Sequence, residues 1–368
     1  MKKILHVFKT YFPDAPGGVQ EAIRAISRYT KDYGFQHSVF TLSSHPVPRD
    51  VDFEGVFVHR EKQIATPLSC PIGNWGSFLE LRRMAKDADV IVFHYPWPFG
   101  DLLSFGIHEK PTVVLYHSDI VKQKLTGALY APLRERFLDR ADVIVATSPN
   151  YVESSEILQK HRNKTKVIPL TAVPDDEPED LEIIKQLKLS SSQFVLFVGV
   201  LRYYKGLETL VKAARQVNCP IVIAGEGPER EHLKALKAQV GAKNIIFTGR
   251  ITNAQKKALY KKASVFAFPS NARSEAFGIS LAEAAMYGVP MVSCEIRTGT
   301  SFINLEKITG YVVPPDDDMS FAKALNAILC SSDLTESMRR AAIARWREVL
   351  SPKMFGKNWV DLFSTFKQ

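Results

Sequence analysis

The stretch FVLFVGVLRYYKG, residues 194–206, decides the fold because it joins a short apolar run to a glycine-bearing loop, and a helical pattern follows over residues 206–216. Short apolar runs without strict alternation are typical of parallel strands that are covered on both faces. The same alternation of strand and helix recurs further along the chain and predicts a doubly wound domain over residues 191–345. Its other predicted strands are 221–224, 245–248, 265–268 and 291–293, and its other predicted helices are 229–240, 254–262 and 279–287.

The first half of the chain repeats this pattern and predicts another doubly wound domain over residues 1–172. An acidic, proline-bearing stretch over 173–190 is typical of a linker. The segment 346–368 is helical in pattern, is expected to break at Pro352 and is expected to pack back on the N-terminal domain. The predicted N-terminal strands are 4–8, 38–42, 90–93, 112–116 and 143–146, with helices at 19–33 and 75–86.

The predicted fold class is therefore α/β, with two Rossmann-like domains facing a cleft. Ligands of such sheets bind beyond the carboxyl ends of the strands, so the loops that follow strands are where functional residues are expected.

Composition excludes several classes of protein. The 368 residues are 45% hydrophobic and 24% charged, which is typical of a globular chain of about two domains and not of a disordered or coiled-coil protein. A net charge of +9 allows nucleic acid, an anionic membrane or anionic small molecules as partners. The four cysteines lie far apart and predict neither a disulfide framework nor a metal site. Because no apolar run suits a membrane span or a signal peptide, we expect a cytoplasmic chain that is at most peripheral to a membrane.

Two strand-to-helix loops carry the first candidate residues. Gly17 and Gly18 precede a predicted helix, where backbone N–H groups can bind an anion. Arg202 and Lys205 lie three apart after the strand at 194–198. Together they can clamp a diphosphate, the arginine through its planar fork and the lysine as a point charge. A bare turn is the alternative at the glycines, and a solvated loop is the alternative at the basic pair.

The stretch SNARSEAFGISLAEA, residues 270–284, is the most specific of the candidate motifs. Glu275 is expected in a loop and Glu283 about one turn into the following helix. Because Glu283 falls within an apolar run, its carboxylate needs a ligand or a protein partner. A phosphate would bind well at the start of this helix, where the backbone amides belong to Phe277, Gly278 and Ile279.

Two histidines end predicted strands of the N-terminal domain. His117 follows the strand at 112–116, and His94 follows the strand at 90–93. Both are candidates for the wall of the ligand crevice. A hydrogen-bonded structural histidine is the alternative for His117.

These motifs together carry a resemblance to a known family. Residues 275–290, AGEGP at 224–228 and FTGR at 247–250 resemble the retaining glycosyltransferases of family 4, which are nucleotide-sugar enzymes with the two-Rossmann GT-B fold. The resemblance covers nearly the whole chain, and the motifs follow the family's order and spacing.

For the donor diphosphate, the resemblance implies that Gly17 and Gly18 approach it and that Lys205 binds it. The family usually has arginine directly after the glycine of the Val-Gly pair, where this chain has Val200. We expect Arg202 to reach the phosphate in its place.

For the rest of the donor, the resemblance implies that Glu275 holds the sugar hydroxyls, that the amides of residues 277–279 bind phosphate and that Glu283 binds the ribose. His117 matches an active-site histidine beside the donor sugar and the incoming acceptor. The backbone expected near the base belongs to Gly249, Arg250 and Ile251.

The expected mechanism is front-face substitution, because no pair of carboxylates suits the double-displacement route of retaining glycosidases. The leaving diphosphate takes the acceptor proton while Lys205, Arg202 and the helix amides stabilise its growing charge. Neither a metal nor a cofactor is expected, since the nucleotide sugar is a substrate.

Residues 94–101 and 116–124 are similar to bacterial polysaccharide mannosyltransferases that use GDP-mannose, such as those that build O-antigens on a lipid carrier. A UDP-sugar donor carrying glucose, galactose or N-acetylglucosamine is the alternative.

Other functional hypotheses compete with sugar transfer. A sugar-nucleotide epimerase shares the two-domain plan but not the paired glutamates. A nucleic-acid or lectin-like binding protein would explain the positive charge, although no basic tail supports it. Attraction to an anionic membrane is a further candidate, with a solvated face as its alternative. The lysines considered for it are Lys2, Lys3 and Lys9, or Lys256, Lys257, Lys261 and Lys262.

Overall fold

The structure is a computed structural model that describes residues 1–67, 70–107, 110–119, 124–190 and 192–366, with no side chains for 124–129. The chain forms two compact units. The first unit is Met1–Leu170 together with Pro352–Gln368, and the second unit is Thr171–Ser351. The predicted N-terminal domain therefore ends two residues too late, and the predicted C-terminal segment 346–368 divides between the units at Ser351.

A mostly parallel sheet organises the first unit. Its strands are β1 (Lys2–Val7), β2 (Phe35–Ser43), β3 (Asp50–Phe53), β4 (Val56–Ala65), β5 (Ile72–Gly73), β6 (Val90–Tyr95), β7 (Thr112–Tyr116), β8 (Val143–Ala146) and β9 (Thr165–Val167). The strand order is β3-β4-β2-β1-β6-β7-β8-β9, with β5 against β4. Only β3 and β5 run antiparallel to their described neighbour β4. The helices are α1 (Gly18–Thr30), α2 (Trp75–Asp87), α3 (Pro98–Ser104), α4 (Lys124–Arg140), α5 (Pro149–Ser154) and α6 (Glu156–Lys160).

A parallel sheet also organises the second unit. Its strands are β10 (Val195–Val198), β11 (Ile221–Ala224), β12 (Ile245–Gly249), β13 (Val265–Phe268), β14 (Met291–Cys294) and β15 (Gly310–Val313). Their order is β12-β11-β10-β13-β14-β15. The chain reverses direction across the sheet between β10 and β13, which is the usual place for a ligand in such a fold. The helices are α7 (Glu182–Gln186), α8 (Leu207–Ala213), α9 (Arg230–Val240), α10 (Asn253–Lys262), α11 (Ile279–Met286), α12 (Gly299–Ile303), α13 (Asp318–Leu329) and α14 (Ser332–Arg345).

The C-terminal helix α15 (Pro352–Ser364) belongs to the first unit. Pro352 is its first residue, where a missing N–H is harmless, and a π-helical turn, Trp346–Leu350, precedes it. Phe355 and Trp359 are buried in the same core as Ile4 of β1. The apolar face of α15 therefore covers the sheet from which the chain starts.

The stretch 173–190, predicted as a linker, packs against α10 instead. Lys257 of α10 donates to the carbonyl oxygens of Asp175 and Glu177 at 2.8 and 2.7 Å. Gln255 donates to the Asp180 carboxylate at 3.2 Å. Proline and acidic residues are typical of linkers, but here Lys257 and Gln255 of α10 hold the stretch against the same unit.

Strands β3 and β4 are absent from the predicted set because polar residues interrupt β4. Arg60 is buried and donates to Asp14 at 2.7 Å. His59 and Glu61, also buried, lie 3.2 Å apart through Nε2 and Oε1. Pairing allows these polar side chains to be buried, so the strand lacks an apolar pattern.

Candidate functional site

Glycines bring two loops into backbone contact at the carboxyl end of the second unit's sheet. Gly225 follows β11 with φ at +140°, and a Cβ there would lie 2.0 Å from the carbonyl oxygen of Gly199, which follows β10. A Cβ at Gly227 would lie 2.3 Å from the carbonyl oxygen of Leu201. Only glycine fits at these positions, so the two loops form a floor of backbone, and the loop that follows β10 also carries Lys205.

The ammonium group of Lys205 forms an ion pair with the carboxylate of Glu275. The side chains are only 12% and 11% exposed. Lys205 ends a short 3-10 turn after β10, and its Nζ lies 5.0 Å from the centroid of the Phe268 ring at the end of β13. A pair this secluded gains little net stability because both charges lose hydration. Its position at the carboxyl edge of the sheet favours a role in ligand binding.

The loop that carries Glu275 is fixed by bonds from the segment after β14. The Thr298 hydroxyl donates to the carbonyl of Glu275 at 2.8 Å, and the Gly299 amide donates to that of Ala276 at 2.9 Å. Thr298 is fully buried. The carboxylate therefore sits on a rigid support.

Helix α11 begins directly after this loop. Gly278 caps it with φ at +94°, a left-handed conformation that glycine adopts without strain. The amides of residues 277–279 stand at the positive end of the helix. An anion would be stabilised at this position, close in sequence to Glu275 and in the same unit as Lys205.

Glu283, in the middle of α11, has the protein partner that its apolar surroundings require. Its carboxylate accepts from Lys256 Nζ at 2.6 Å and from the Tyr260 hydroxyl at 3.0 Å. Burial and the neighbouring carboxylate raise the pKa of Tyr260 well above its ordinary value, so the hydroxyl stays a donor. Lys256 and Tyr260 are four apart and therefore share one face of α10.

Most of the basic cluster on α10 has partners within the second unit. Lys256 binds Glu283, Lys257 binds two carbonyls of the 173–190 stretch, and Lys261 lies 3.3 Å from Glu179. Lys262 is exposed. Three of these four lysines therefore have partners within the unit, and attraction of the cluster to an anionic membrane stays a prediction.

The remaining candidates of the second unit lie at its surface or in its loops. Gly249 ends β12 with φ at +76°, and its carbonyl accepts from the Gly225 amide at 2.9 Å. Arg202 and Arg250 are exposed, and Ile251 is half-buried before α10. Val200 is 51% exposed at the position where the family has arginine.

In the first unit, Gly17 and Gly18 precede α1. A Cβ at Gly17 would lie 2.5 Å from the Gln20 side-chain oxygen, whereas a Cβ at Gly18 would meet no atom within 4 Å. The amide of Glu21 donates to the Gly17 carbonyl at 2.9 Å. The first turn of α1 therefore begins at this glycine pair.

His117 directly follows β7, and its amide donates to the Tyr95 carbonyl of β6 at 3.0 Å. Its Nε2 lies 3.0 Å from Nδ1 of His94. Burial lowers the pKa of His117 to about 3, so the ring is uncharged at neutral pH. It can therefore exchange hydrogen bonds with a ligand but does not carry a positive charge to it. Residues 120–123 of the stretch 116–124 lie outside the described residues.

Two family models match the chain, and together they span nearly all of it. The model described as Glycosyltransferase Family 4 matches residues 16–172, and the model described as Glycosyl transferases group 1 matches residues 178–345. A D-rhamnosyltransferase, WbpZ, of Pseudomonas aeruginosa is 42% identical over 95% of this chain and 92% of its own length. The chain belongs to glycosyltransferase family 4. The O-antigen chain mannosyltransferase C of Escherichia coli is 38% identical to this glycosyltransferase over 99% of this chain and 98% of its own length.

A solved structure supports the fold of this glycosyltransferase. The sucrose-phosphate synthase of Thermosynechococcus elongatus superposes with a TM-score of 0.80 at 20% identity, covering 99% of each chain. The predicted α/β class with two Rossmann-like domains is confirmed, and so is the resemblance to family 4. Among the described residues of the glycosyltransferase, no helix is long and apolar enough to cross a bilayer.

The predicted site residues of this glycosyltransferase divide between its units. Gly17, Gly18 and His117 belong to the first unit, whereas the candidates from Arg202 to Glu283 belong to the second. Within the second unit the structure brings Lys205 and Glu275 together. Sequence reasoning missed Thr298 as a support, and it missed Lys256 and Tyr260 as partners of Glu283. For Lys256 and Tyr260, the signal available in the sequence was their four-residue spacing, which places both on one face of a helix.

Proposed function

We propose that this glycosyltransferase transfers mannose from GDP-mannose, with retention of anomeric configuration, to a growing lipid-linked glycan of the O-antigen type. The observation that carries the proposal is the secluded Lys205–Glu275 pair in the unit where helix α11 begins. The relative that is named an O-antigen chain mannosyltransferase supports the sugar and the acceptor class.

The residues of the second unit suit a nucleoside diphosphate sugar. Lys205 and the amides at the start of α11 would bind the diphosphate, and Arg202 would assist from its exposed loop. Glu275 would exchange its bond with Lys205 for bonds to sugar hydroxyls. Glu283 would accept from the ribose hydroxyls, with Lys256 and Tyr260 holding its carboxylate in place. The backbone of residues 249–251 would border the base.

The reaction would proceed by front-face substitution. The acceptor hydroxyl forms the new bond to the anomeric carbon as the bond to the diphosphate breaks. Its proton passes to the leaving phosphate oxygen, and the negative charge that remains is stabilised by Lys205 and the helix amides. His117 would hydrogen bond to a sugar hydroxyl in its uncharged form. No metal enters this proposed scheme.

A second candidate donor is GDP-D-rhamnose, which is GDP-mannose without the oxygen at C6. The 42% identical relative that is named a D-rhamnosyltransferase favours it. A site that binds the C6 hydroxyl would discriminate strongly against the deoxy sugar, because its polar group would lose a partner. Comparing these two donors therefore tests the sugar directly.

We also propose that the enzyme works in the cytoplasm at the inner face of the membrane, where a lipid-linked acceptor would be located. This proposal rests on the acceptor class. The half-buried Lys2 donates from its ammonium group to the carbonyl of Phe363 at 3.0 Å, which leaves its positive charge in place, and Lys3 is exposed.

A thermal-shift panel of GDP-mannose, GDP-D-rhamnose, UDP-glucose, UDP-N-acetylglucosamine and ADP-glucose tests the donor without needing the acceptor. At a concentration one hundred times Kd, a donor stabilises the folded state by about 2.7 kcal/mol. That corresponds to roughly 5–10 °C for a unit of this size. We expect GDP-mannose to give this shift in the wild type and in the control Lys212→Met, and to give much less in Lys205→Met. The control lysine forms an exposed pair with Glu208 in the same unit.

Stabilisation by UDP-sugars alone would contradict the GDP donor. Equal stabilisation of Lys205→Met and wild type would contradict the role of Lys205.

A further inference from the structure

Four buried or half-buried histidines of the first unit form a continuous hydrogen-bonded chain across neighbouring strands. His117 Nε2 lies 3.0 Å from His94 Nδ1, and His94 Nε2 lies 3.1 Å from His6 Nδ1. His6 Nε2 lies 3.0 Å from His37 Nδ1. The four rings follow the sheet order β7, β6, β1 and β2, and we call them the histidine chain.

The inner end of the histidine chain is fixed by a threonine. His37 Nε2 lies 2.7 Å from the Thr30 hydroxyl, which donates to the carbonyl of Ile26 one turn earlier in α1, also at 2.7 Å. A hydroxyl has one hydrogen, and a backbone carbonyl can only accept. Because Thr30 gives its hydrogen to Ile26, it must accept one from His37.

This requirement sets the direction of every bond in the chain. His37 carries its hydrogen on Nε2, so its Nδ1 accepts from His6. The same argument then places the hydrogen of His6, of His94 and finally of His117 on Nε2. Each ring holds one hydrogen because all four are uncharged. Burial lowers the pKa of His37 and of His117 to about 3, and those of His6 and His94 lie well below the ordinary value.

We propose that Thr30, acting through His37, His6 and His94, fixes the tautomer of His117, so that its Nε2 carries the hydrogen and its Nδ1 accepts a hydrogen bond from a sugar hydroxyl. The four inner residues are positioning residues. The part of this proposal that concerns the sugar rests on the proposed function, whereas the tautomer of His117 does not.

The histidine chain fixes which ring nitrogen carries the hydrogen and does not conduct protons away from His117. A proton that entered at His117 Nδ1 would have to leave through the Thr30 hydroxyl, which ends at the Ile26 carbonyl within α1. A backbone carbonyl does not pass the proton on. The arrangement therefore keeps an acceptor nitrogen at the carboxyl end of β7, where the loops of the sheet bind ligands.

Nitrogen-15 NMR of the intact protein labelled at histidine tests the tautomer directly, because protonated and bare ring nitrogens resonate in separate ranges. In the wild type we expect all four rings to carry hydrogen on Nε2. Finding hydrogen on Nδ1 of His117 would overturn the proposal without any variant.

Thr30→Val tests whether Thr30 determines the tautomer of His117. Valine keeps the shape but cannot accept from His37, and burying an N–H without an acceptor is unfavourable. His37 avoids this cost by carrying its hydrogen on Nδ1. Since one hydrogen fits between each pair of nitrogens, the other rings must follow, and His117 then carries hydrogen on Nδ1. Thr30→Ser restores the hydroxyl and the original tautomer.

The matched control is Thr41→Val. Thr41 is equally buried, lies on β2 with His37, and its hydroxyl has no hydrogen-bond partner among the described residues. We expect Thr30→Val to lower kcat by about tenfold or more with donor KM nearly unchanged, and Thr41→Val to change neither the kcat nor the tautomers.

An unchanged tautomer of His117 in Thr30→Val would overturn the proposal, as would an equal loss of kcat in Thr41→Val. If the tautomers are as expected but no sugar is transferred, the positioning stands and the proposed function fails.

Discussion

The Lys205–Glu275 pair predicts a strong coupling between its members in the free energy of unfolding. Three variants test it: Lys205→Met, Glu275→Gln and the double substitution. Each single change leaves one charge without its partner in a site where the side chains are only 12% and 11% exposed. The double change leaves no charge unpaired.

The expected size follows from this burial. Removing one partner of a fully buried pair costs about 3–5 kcal/mol, and residual exposure here lowers the expectation to about 2–3 kcal/mol for each single variant. The double variant leaves no charge unpaired and should lose no more than one single variant. The coupling energy is then at least about 2–3 kcal/mol, at the upper end for residues in contact.

Urea unfolding without nucleotide, with a probe in the second unit, measures this cycle. The control cycle uses Lys212→Met and Glu208→Gln, whose side chains are 47% and 52% exposed with Nζ and Oε2 3.6 Å apart. That surface pair should couple by less than about 0.5 kcal/mol. Additive losses at Lys205 and Glu275, within about 0.5 kcal/mol, would refute the inference that the two charges depend on each other.

Three further changes have defined outcomes. Burial raises the pKa of Asp101 to about 8, so this carboxyl by itself lowers the free energy of unfolding by about 2–3 kcal/mol between pH 5 and pH 7, whereas the buried uncharged histidines act in the opposite direction; the stability difference between wild type and Asp101→Asn in urea titrations should therefore shift by about that amount over this pH range. Glu283→Gln should weaken GDP binding by about tenfold in calorimetry while the protein stays folded by circular dichroism; unchanged affinity would contradict its ribose role. Gly225→Ala should destabilise by more than about 2 kcal/mol, because its Cβ would lie 2.0 Å from the Gly199 carbonyl oxygen; a smaller loss in thermal unfolding would count against that contact.

Local pattern was sufficient to predict the buried parallel strands. The runs at 112–116, 143–146, 221–224 and 265–268 coincide with strands of the structure. Their apolar residues are covered on both faces, so hydrophobicity alone marks them. Strand β4 was not predicted because its buried Arg60 is paired with Asp14, a residue 46 positions away that no local pattern indicates.

The candidate site was predictable where one loop carries the chemistry and unpredictable where partners come from elsewhere. Lys205 and Glu275 were each identified, but 70 positions separate them, and their ion pair follows only from the adjacency of β10 and β13. The need of Glu283 for a partner followed from its apolar neighbours, whereas the identity of Lys256 required the packing of α10 on α11.

The histidine chain could not be predicted for the same reason. His6 lies on β1, His37 on β2 and His94 within β6, whereas His117 directly follows β7. Only the sheet order makes the four rings neighbours. No spacing in the sequence expresses that order, because parallel strands are joined through crossovers of variable length.

The central claim is that the second unit binds the diphosphate of a GDP-sugar through Lys205. Calorimetric titration of GDP and UDP into the wild type, Lys205→Met and Lys212→Met measures it most directly. We predict that the wild type and Lys212→Met bind GDP alike and more tightly than UDP, and that Lys205→Met binds GDP at least about tenfold more weakly. Equal GDP affinity in Lys205→Met and the wild type, or tighter binding of UDP than of GDP, would contradict the account.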